Sequence, residues 1–352
     1  MSAPDRGAPG LRIGVAGATG ALGSELLGAL SGSRLAIAGL RCFASEHSLG
    51  SAIEFRGDEY PIALEAEGVA GLDLLFLCAP PAASLAFLRL ALHAEVPCID
   101  LSGAMAARAE VPLRAVDRAA RGSGAPAAPE AEPLVAAPDG ASLALFRVLQ
   151  PLCAESAPRR AVVTLFDAAS VAGRRAIDAL YRESLAIFNQ QELPEPEHFD
   201  RPVAFDCLPR VGELDAQGES AREARVRAEL ARLLAEAGCR DCALFVSAVQ
   251  VPAFVGLGAS VFVETAEPAD AKRAAERLRA APGVALSDDP GGPTLRAGAG
   301  AEDVAIGRLR AGPGGLGLWL AADPLRLAAA HAVALAELRL SQRPGALRAR
   351  TQ

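Results

Sequence analysis

Aromatic side chains are scarce in this sequence. They make up 4% of its residues, so Ala, Leu and Val must build most of the core. There are only four histidines, and no apolar run is long enough to cross a bilayer. The N-terminal MSAPDRGAPG has no signal-peptide core, and a net charge of −7 argues against a nucleic-acid or anionic-membrane surface. We expect a cytoplasmic protein that binds neither nucleic acid nor membrane.

The cysteines do not form the pattern of a disulfide framework, because there are seven of them and they are scattered. Cys239 and Cys242 have the CxxC spacing of a redox pair or of half a zinc site. No second CxxC and no matching Cys/His pair accompanies them. We therefore predict no metal site, and the role of this pair stays open.

What the sequence does contain is an alternation of apolar strands and helices from Leu11 to about residue 137. This alternation indicates an α/β domain, residues 1–137, with a Rossmann-like doubly wound parallel sheet. Residues 138–320 carry longer β-rich segments between helices, which favours an α+β domain whose sheet could pair in a dimer. The second strand, residues 34–43, is predicted to be buried. The last helix, residues 323–340, is predicted to be amphipathic and lies in a C-terminal segment, residues 321–352.

Three glycines, Gly17, Gly20 and Gly23, stand directly between the first strand and the first helix. In a dinucleotide-binding loop the first glycine allows the tight turn, the second lets the backbone approach a pyrophosphate, and the third permits close helix packing. The free N–H groups at the helix start meet the negative charge. The alternative is a tight turn that binds nothing.

The residues after the second strand favour NADP over NAD. An NAD site usually has an acidic residue at the end of that strand, where it holds the ribose hydroxyls. Here Arg41, Ser45 and Ser48 suit a 2′-phosphate better, and Glu46 is the one acid nearby. NADP is the predicted cofactor, and NAD remains possible.

Residues 130–152 read as an extended segment, a Pro-Asp-Gly turn and an apolar helix from about Ser142. Enzymes of the α/β class often place a nucleophile at such a junction, but Asp139, Gly140 and Ala141 are not good nucleophiles. We interpret Ser142 as the N-cap of the helix rather than as a nucleophile, because no base accompanies it. Cys153 lies too far along the helix to act at the junction.

With these elements in place, the chain resembles the aspartate-semialdehyde dehydrogenase family over nearly its whole length. The stretches that carry the resemblance are GVAGATGALG, ASEHSLG, IDLSGA, AAPDGAS, VAFDCLP and VQVPAFVG. The family implies an NADP-binding domain completed by the C-terminal helix, and a central dimerisation domain. Its reaction is the reductive dephosphorylation of β-aspartyl phosphate, which runs in reverse through a cysteine thioester.

The resemblance also implies that the catalytic residues of the family are missing here. The nucleophilic cysteine falls on Gly140, the glutamine that orients the intermediate on Asp167, the substrate arginine on Gln250 and the histidine on Leu257. The phosphate-binding arginine falls on Ala106, with Arg108 two residues on, and the asparagine that faces the nicotinamide on Pro324. Within the family the chain is most similar to the usg-type paralogues, which also lack the cysteine.

Three functional hypotheses follow. The first is a cofactor-binding sensor or dimeric regulatory subunit that has lost catalysis, forming a homodimer or a heteromer with an active relative. The second is an active NADP-dependent semialdehyde dehydrogenase that uses displaced residues such as Cys78, and the third is a dimer scaffold that binds nothing. The predicted cofactor site comprises Gly17, Thr19, Gly20, Ala21, Leu22, Gly23, Arg41, Ser45, Ser48, Ala79, Pro80, Ser102 and Gly103.

Overall fold

The computed structural model describes residues 10–116, 132–153, 158–196, 198–341 and 345–347. Two compact units divide the chain: Met1–Ala137 together with Ala329–Gln352, and Pro138–Ala328. No helix within the described ranges is both long and apolar enough to span a membrane.

The first unit is built on a seven-stranded sheet in the order β3-β4-β2-β1-β5-β6-β7. All of its neighbouring strands run parallel except β3 and β4, which form an antiparallel hairpin. This arrangement confirms the predicted doubly wound sheet. The strands are β1 (Leu11–Ala16), β2 (Ile37–Phe43), β3 (Ala52–Phe55), β4 (Asp58–Ala63), β5 (Leu74–Leu77), β6 (Cys98–Asp100) and β7 (Leu134–Ala136).

Helices α1 (Ala21–Ser31) and α2 (Pro81–His93) connect strands of this sheet. The leucines of α1 at 26, 27 and 30 are buried, as helical spacing places them on one face. They belong to a core that also contains β1, β5 and residues from the C-terminal part of the chain. The core is aliphatic for the most part, as the low aromatic content implies.

The second unit is built on a six-stranded sheet in the order β11-β12-β13-β10-β8-β9. Its strands are β8 (Arg160–Asp167), β9 (Ala243–Gln250), β10 (Leu257–Glu264), β11 (Val284–Leu286), β12 (Val304–Gly312) and β13 (Gly315–Ala322). Strand β10 is antiparallel to both of its neighbours, whereas β8 and β9 run parallel. The helices are α3 (Gly140–Cys153), α4 (Arg174–Phe188), α5 (Ala221–Glu236), α6 (Ala271–Ala280) and α7 (Leu295–Gly298).

Helix α8 (Pro324–Leu340) differs from the amphipathic helix that the sequence predicted. Between residues 329 and 340 its side chains are buried almost all round, as in a core helix. Its polar residues hydrogen-bond inward: His331 Nε2 accepts from Val116 N at 3.0 Å, and Glu337 Oε1 accepts from Arg34 N at 3.0 Å. The prediction was wrong because polar residues that resembled a solvent-facing stripe have partners inside the fold.

Strand β2 also differs from its prediction as a buried strand, because only Cys42 and Phe43 are buried. These two residues are the ones that pair with β4, so the earlier part of β2 lacks that neighbour. Three further strands, β11 to β13, were not predicted individually. The hairpin β12–β13 turns at Pro313-Gly314, where Gly314 adopts a φ of 78°.

Candidate functional site

The glycine loop lies where the strand order of the first sheet reverses. Strand β1 is flanked by β2 on one side and by β5 on the other, and Ala16 at its end pairs with Phe43 and with Leu77. Open α/β sheets bind their ligands outside the carboxyl ends of the strands at such a point. The loop after β1 is therefore in the position that a dinucleotide requires.

Two of the three glycines are required by close contacts. Gly17 has a φ of +84°, and a Cβ there would lie 2.6 Å from the backbone nitrogen of Ala79. A Cβ on Gly23 would lie 2.1 Å from the carbonyl oxygen of Gly17, so the helix could not pack against the turn. At Gly20 the nearest atom would be 3.3 Å away. The turn and packing roles of Gly17 and Gly23 thus have a steric basis in this chain.

The N-terminus of α1 has no side-chain cap and no acidic residue in its first turn. The first intrahelical hydrogen bond in this region joins Ser24 N to Gly20 O at 2.9 Å. The N–H groups of Ala21, Leu22 and Gly23 precede it, and together with the helix dipole they suit an anion.

Of the residues predicted to select NADP, Ser48 lies beside the glycine loop, whereas the side chain of Arg41 contacts Gly68. Thr19 Oγ1 and Ser48 Oγ are 3.3 Å apart, so the structure brings Ser48 to the glycine loop. Ser45 precedes the single 3₁₀ turn Glu46–Ser48 and has extended backbone angles. The guanidinium of Arg41 donates to the carbonyl oxygen of Gly68 at 2.9 Å, which fixes one of its nitrogens.

The remaining predicted cofactor residues follow β5 and β6, whose ends are in register at Leu77 and Asp100. Buried Asp100 accepts hydrogen bonds from the backbone N–H of Ser102 at 2.9 Å and from its hydroxyl at 2.5 Å. Gly103 follows with a φ of +80°. Asp100 therefore holds the turn that presents Ser102. Ala79 is buried and Pro80 is exposed just before α2.

In the second unit, two of the positions named by the family resemblance are in direct contact. Gly140 opens α3, and Pro324 opens α8. A Cβ built on Gly140 would lie 1.9 Å from the carbonyl oxygen of Pro324 and 2.6 Å from its Cα. No side chain fits at residue 140 while Pro324 keeps this backbone position.

The N-cap of α3 is Asp139 and not Ser142, so that prediction was wrong. Asp139 Oδ1 accepts from the backbone N–H of Ala141 at 2.9 Å, and the helix begins at Gly140. Ser142 lies inside the first turn, is fully buried, and its hydroxyl has no hydrogen-bond partner among the described residues. The carboxylate is the better-placed acceptor because it precedes the helix.

Three more family positions lie side by side at one end of the second sheet. Asp167 ends β8, Gln250 ends β9 and Leu257 begins β10, and Asp167 is in register with both of the others. All three are almost completely buried. The amide nitrogen of Gln250 donates to the carbonyl oxygen of Asp167 at 2.8 Å, so this side chain is used within the fold.

A buried arginine connects these positions. Arg222 of α5 donates through Nε and Nη2 to both carboxylate oxygens of Asp167, at 2.9 and 3.2 Å, and its Nη1 lies 2.8 Å from Asp139 Oδ1. Arg225 Nη2 lies 3.7 Å from Asp139 Oδ2, and Arg225 Nε donates to Glu229 Oε1 at 2.9 Å. We call Asp139, Asp167, Arg222, Arg225 and Glu229 the charge cluster.

The members of the charge cluster shift one another's pKa values. Burial would raise the pKa of Asp139, but Arg222 and Arg225 outweigh it and lower that pKa to about 2. The pKa of Arg222 is raised, because Asp139 and Asp167 outweigh its desolvation. Burial and the nearby Asp139 raise the pKa of Glu229. Three carboxyl groups thus face two guanidinium groups that neutralise most of their charge.

The sequence pattern predicts α5 only as a helix, and the charge cluster was not predicted. A signal was present, because Arg222, Arg225 and Glu229 lie on the same helical face as Val226 and Leu230, which are buried. Charged residues at the spacing of the buried face need partners inside the protein.

Other candidates from the sequence are placed elsewhere. Ala106 is buried, and Arg108 forms an exposed ion pair with Glu110 at 3.5 Å. The thiol of Cys78 follows β5, and burial together with Asp100 raises its pKa. A raised pKa disfavours the thiolate that a nucleophile needs. Among the described residues, no three His, Cys, Asp or Glu side chains are arranged to hold a metal ion.

Two family models match the chain. Residues 12–118 match the NAD binding domain of semialdehyde dehydrogenases, and residues 149–327 match their dimerisation domain. Among curated proteins, a USG-1 protein homolog of Pseudomonas aeruginosa is 33% identical over 335 residues, covering 93% of this chain and 97% of the relative. The aspartate-semialdehyde dehydrogenase of Aquifex aeolicus is 28% identical over 348 residues, covering 94% and 98%.

The fold is also that of solved structures. A probable aspartate-semialdehyde dehydrogenase from Pseudomonas aeruginosa superposes with a TM-score of 0.85 at 32% identity, covering 95% of this chain and 99% of that one. Aspartate semialdehyde dehydrogenase II from Vibrio cholerae gives 0.84 at 25% identity, with 95% and 99% covered. These similarities extend over both units of the chain.

Proposed function

Because the chain belongs to the semialdehyde dehydrogenase family, we propose that it binds NADP at its glycine loop and has lost the thioester chemistry of its relatives. It carries the family's NAD-binding and dimerisation domains. The proposed role is that of a dimeric cofactor sensor or regulatory subunit.

The observation that carries the proposal is the contact between Gly140 and Pro324. Thioester formation needs a thiolate, and the family resemblance puts that thiol at residue 140. Any Cβ there would lie 1.9 Å from a backbone oxygen, far inside van der Waals contact. The position of the family's substrate arginine further supports the loss, because it is Gln250, whose amide nitrogen donates to the carbonyl oxygen of Asp167 within the fold.

The proposed binding of NADP is supported by features that do not involve the missing catalytic residues. The loop has its three glycines, the α1 N-terminus has no side-chain cap, and Ser48 approaches Thr19. The absence of an acidic residue at the end of β2, with Arg41 within that strand, favours a 2′-phosphate.

Self-association is supported by exposed apolar side chains in the dimerisation domain. Tyr181, Leu185 and Phe188 repeat at helical spacing on α4, and Phe188 packs edge-on against exposed Phe205 at 5.6 Å. Phe245 on β9 is 59% exposed. Apolar groups of this size are usually covered by a partner. We propose a homodimer, and sedimentation velocity should give twice the mass of the chain.

Calorimetric titration with NADP⁺ and NAD⁺ tests the cofactor half. We expect micromolar binding of NADP⁺ and weaker binding of NAD⁺. The variant Gly23→Ala should bind at least about tenfold more weakly, because its Cβ would push α1 away from the turn. Gly32→Ala is the matched control at the other end of α1, where the nearest atom would be 3.9 Å from the new Cβ.

No heat with either nucleotide would contradict the cofactor half and favour a dimer scaffold. Equal loss of binding in Gly23→Ala and Gly32→Ala would mean that the glycine loop is not the site.

A further inference from the structure

Helix α4 has its larger apolar side chains on the outside. Its buried face consists mainly of small residues and is formed by Ala176, Ala179, Leu180, Glu183 and Ala186. The opposite side carries Tyr181, Leu185 and Phe188, of which Tyr181 is 55% and Phe188 73% exposed. A helix of a globular domain normally turns its large apolar residues inward. We call Tyr181, Leu185 and Phe188 the α4 ridge.

Buried contacts hold the α4 ridge in place. Glu183 Oε2 accepts hydrogen bonds from the backbone N–H groups of Val203 at 2.7 Å and Ala204 at 2.9 Å. The same segment contributes to a small apolar cluster beneath α4, and it carries Phe205, whose ring packs against that of Phe188. The ridge is therefore a fixed surface, because α4 is anchored to its neighbours from the side that faces inward.

The second sheet has an uncovered face of its own. Side chains of β8, β9 and β10 alternate between a buried face and one that is half-buried or exposed. On the latter face, residues in register form rows across the strands. The rows are Phe245–Val162–Phe262, then Ser247–Thr164–Ser260, then Val249–Phe166, and we call these eight residues the open face. The ring of Trp319 extends the third row, 5.5 Å from that of Phe166.

The open face has the shape of a shallow groove. Its middle row contains only short hydroxyl side chains, whereas aromatic rings stand in the rows on either side. Phe245 and Val249 mark the outer rows on β9, and at 3.3 Å per residue these rows are about 13 Å apart. An α-helix with its side chains is about 10–12 Å across. The groove is therefore wide enough to hold one helix.

The composition around the groove is that of a protein interface. Arg160 and Glu264 are in register beyond the first row, and their side chains form an ion pair at 3.8 Å. An apolar centre with a polar rim is typical of surfaces that bind another protein. Both the α4 ridge and the open face lie within residues 149–327, which match the dimerisation domain of the family. A second copy of the chain therefore brings both surfaces to the contact.

We propose that in the homodimer the α4 ridge of each copy lies in the groove of the open face of the other. This inference rests on the homodimer of the proposed function and names its contacts. Two-fold symmetry makes the exchange reciprocal, so one interface covers both ridges and both grooves. Two grooves placed face to face would leave a gap between their middle rows, which close packing disfavours. Two ridges in contact would leave both grooves exposed.

Photo-crosslinking tests which surfaces meet. The photoreactive amino acid p-benzoylphenylalanine replaces Phe188 in the full-length protein, and after irradiation the dimer band of a denaturing gel is digested with trypsin. Residue 188 lies on peptide 183–210, whereas the open face lies on peptides 161–174 and 241–272. We expect peptide 183–210 to be linked to one or both of these peptides. The same probe at Leu92, an exposed residue of α2, should give no dimer band.

Opposite charges give a second test. Leu185→Glu places a charge in the middle of the ridge, and Thr164→Arg places one in the middle of the groove. Each variant should weaken self-association at least about tenfold, as measured by sedimentation equilibrium. The double variant should self-associate more tightly than either single variant, because each new glutamate would face a new arginine of the other copy. Leu92→Glu is the control and should leave the dissociation constant unchanged.

The outcomes separate this arrangement from the homodimer itself. A monomer at every concentration would contradict both. A dimer in which peptide 183–210 is linked only to a second copy of itself, or to peptides outside the open face, would overturn the arrangement and leave the homodimer standing. A double variant that self-associates no better than the single variants would overturn it in the same way.

Discussion

The glycine loop of the first unit and the charge cluster of the second differ in what occupies their space. Around Gly17 and Gly23 the chain omits side chains, and the first N–H groups of α1 have no side-chain cap. At Gly140, as at Gly23, a backbone carbonyl occupies the position of a Cβ, but here Arg222 spans two carboxylates nearby. The glycines of the loop allow a tight turn and close packing of α1 beside its uncapped N–H groups, whereas Gly140 allows α3 to lie against the backbone of Pro324 beside buried ion pairs.

Under the proposed function, the loss of thioester chemistry would involve more than a single substitution. Restoring a thiol at residue 140 would meet the backbone of Pro324, and the adjacent carboxylates already have a permanent cationic partner. Function is determined by the site and not by the fold, and the uncapped α1 N-terminus and the buried ion pairs beside Gly140 are two different local environments within one fold.

Removing the central arginine should have the largest effect. We expect Arg222→Met to lower the free energy of unfolding by about 3–5 kcal/mol, because Asp139 and Asp167 would lose a buried partner. Urea denaturation measures this loss. Arg227→Ala on the same helix is the control: its ion pair with Glu219 is partly exposed, so its loss should cost less than about 1 kcal/mol. Equal effects would mean that the cluster does not hold the second unit together.

Adding a single methyl group at residue 140 tests the contact between Gly140 and Pro324. Gly140→Ala should lower the free energy of unfolding by about 1–3 kcal/mol, because the Cβ overlaps the carbonyl of Pro324. Gly312→Ala should have almost no effect, since no atom lies within 4 Å of its Cβ. Gly140→Cys should be destabilised in the same way and should gain no dehydrogenase activity. Activity in that variant would show that the site can reopen.

Acid should weaken the cluster within a defined range. The pKa of Asp139 in the folded protein is lowered from 3.8 to about 2, because Arg222 and Arg225 outweigh burial. Its ion pairs therefore stabilise the fold fully above pH 4 and lose their contribution as the pH falls toward 2. This contribution is about 2 kcal/mol. The difference in unfolding free energy between wild type and Asp139→Asn should shrink by that amount over this range, and a constant difference would contradict the assignment.

The smallest effect concerns the choice of cofactor. Arg41→Met should weaken NADP⁺ binding about tenfold, through loss of a charge-assisted contact to the 2′-phosphate, and should leave NAD⁺ binding unchanged. Arg89→Met removes an equal charge from α2 and should change neither affinity. Calorimetry with both nucleotides distinguishes the outcomes. A parallel loss for NADP⁺ and NAD⁺ in Arg41→Met would indicate that Arg41 supports the loop through Gly68 and does not read the phosphate.

The features that were predictable from sequence are local. The glycine spacing, the strand β1 and the helices α1 and α5 follow from neighbouring residues. The N-cap was assigned to Ser142 because hydroxyls favour that position, although Asp139 precedes the helix and fills it. The charge cluster was missed because Arg222 meets Asp167 across 55 residues of sequence. The contact between Gly140 and Pro324 was missed for the same reason, because these residues are far apart in sequence and meet only in the tertiary structure.

The most direct test of the central claim is the absorbance of NADPH during incubation of the protein with NADP⁺, aspartate semialdehyde and phosphate. It should be run on the wild-type protein at a concentration of NADP⁺ that saturates the site found by calorimetry. We expect no increase above the protein-free control, because no thiol can form the acyl intermediate at residue 140. A steady increase in proportion to protein concentration would contradict the account and show that displaced residues perform the reaction.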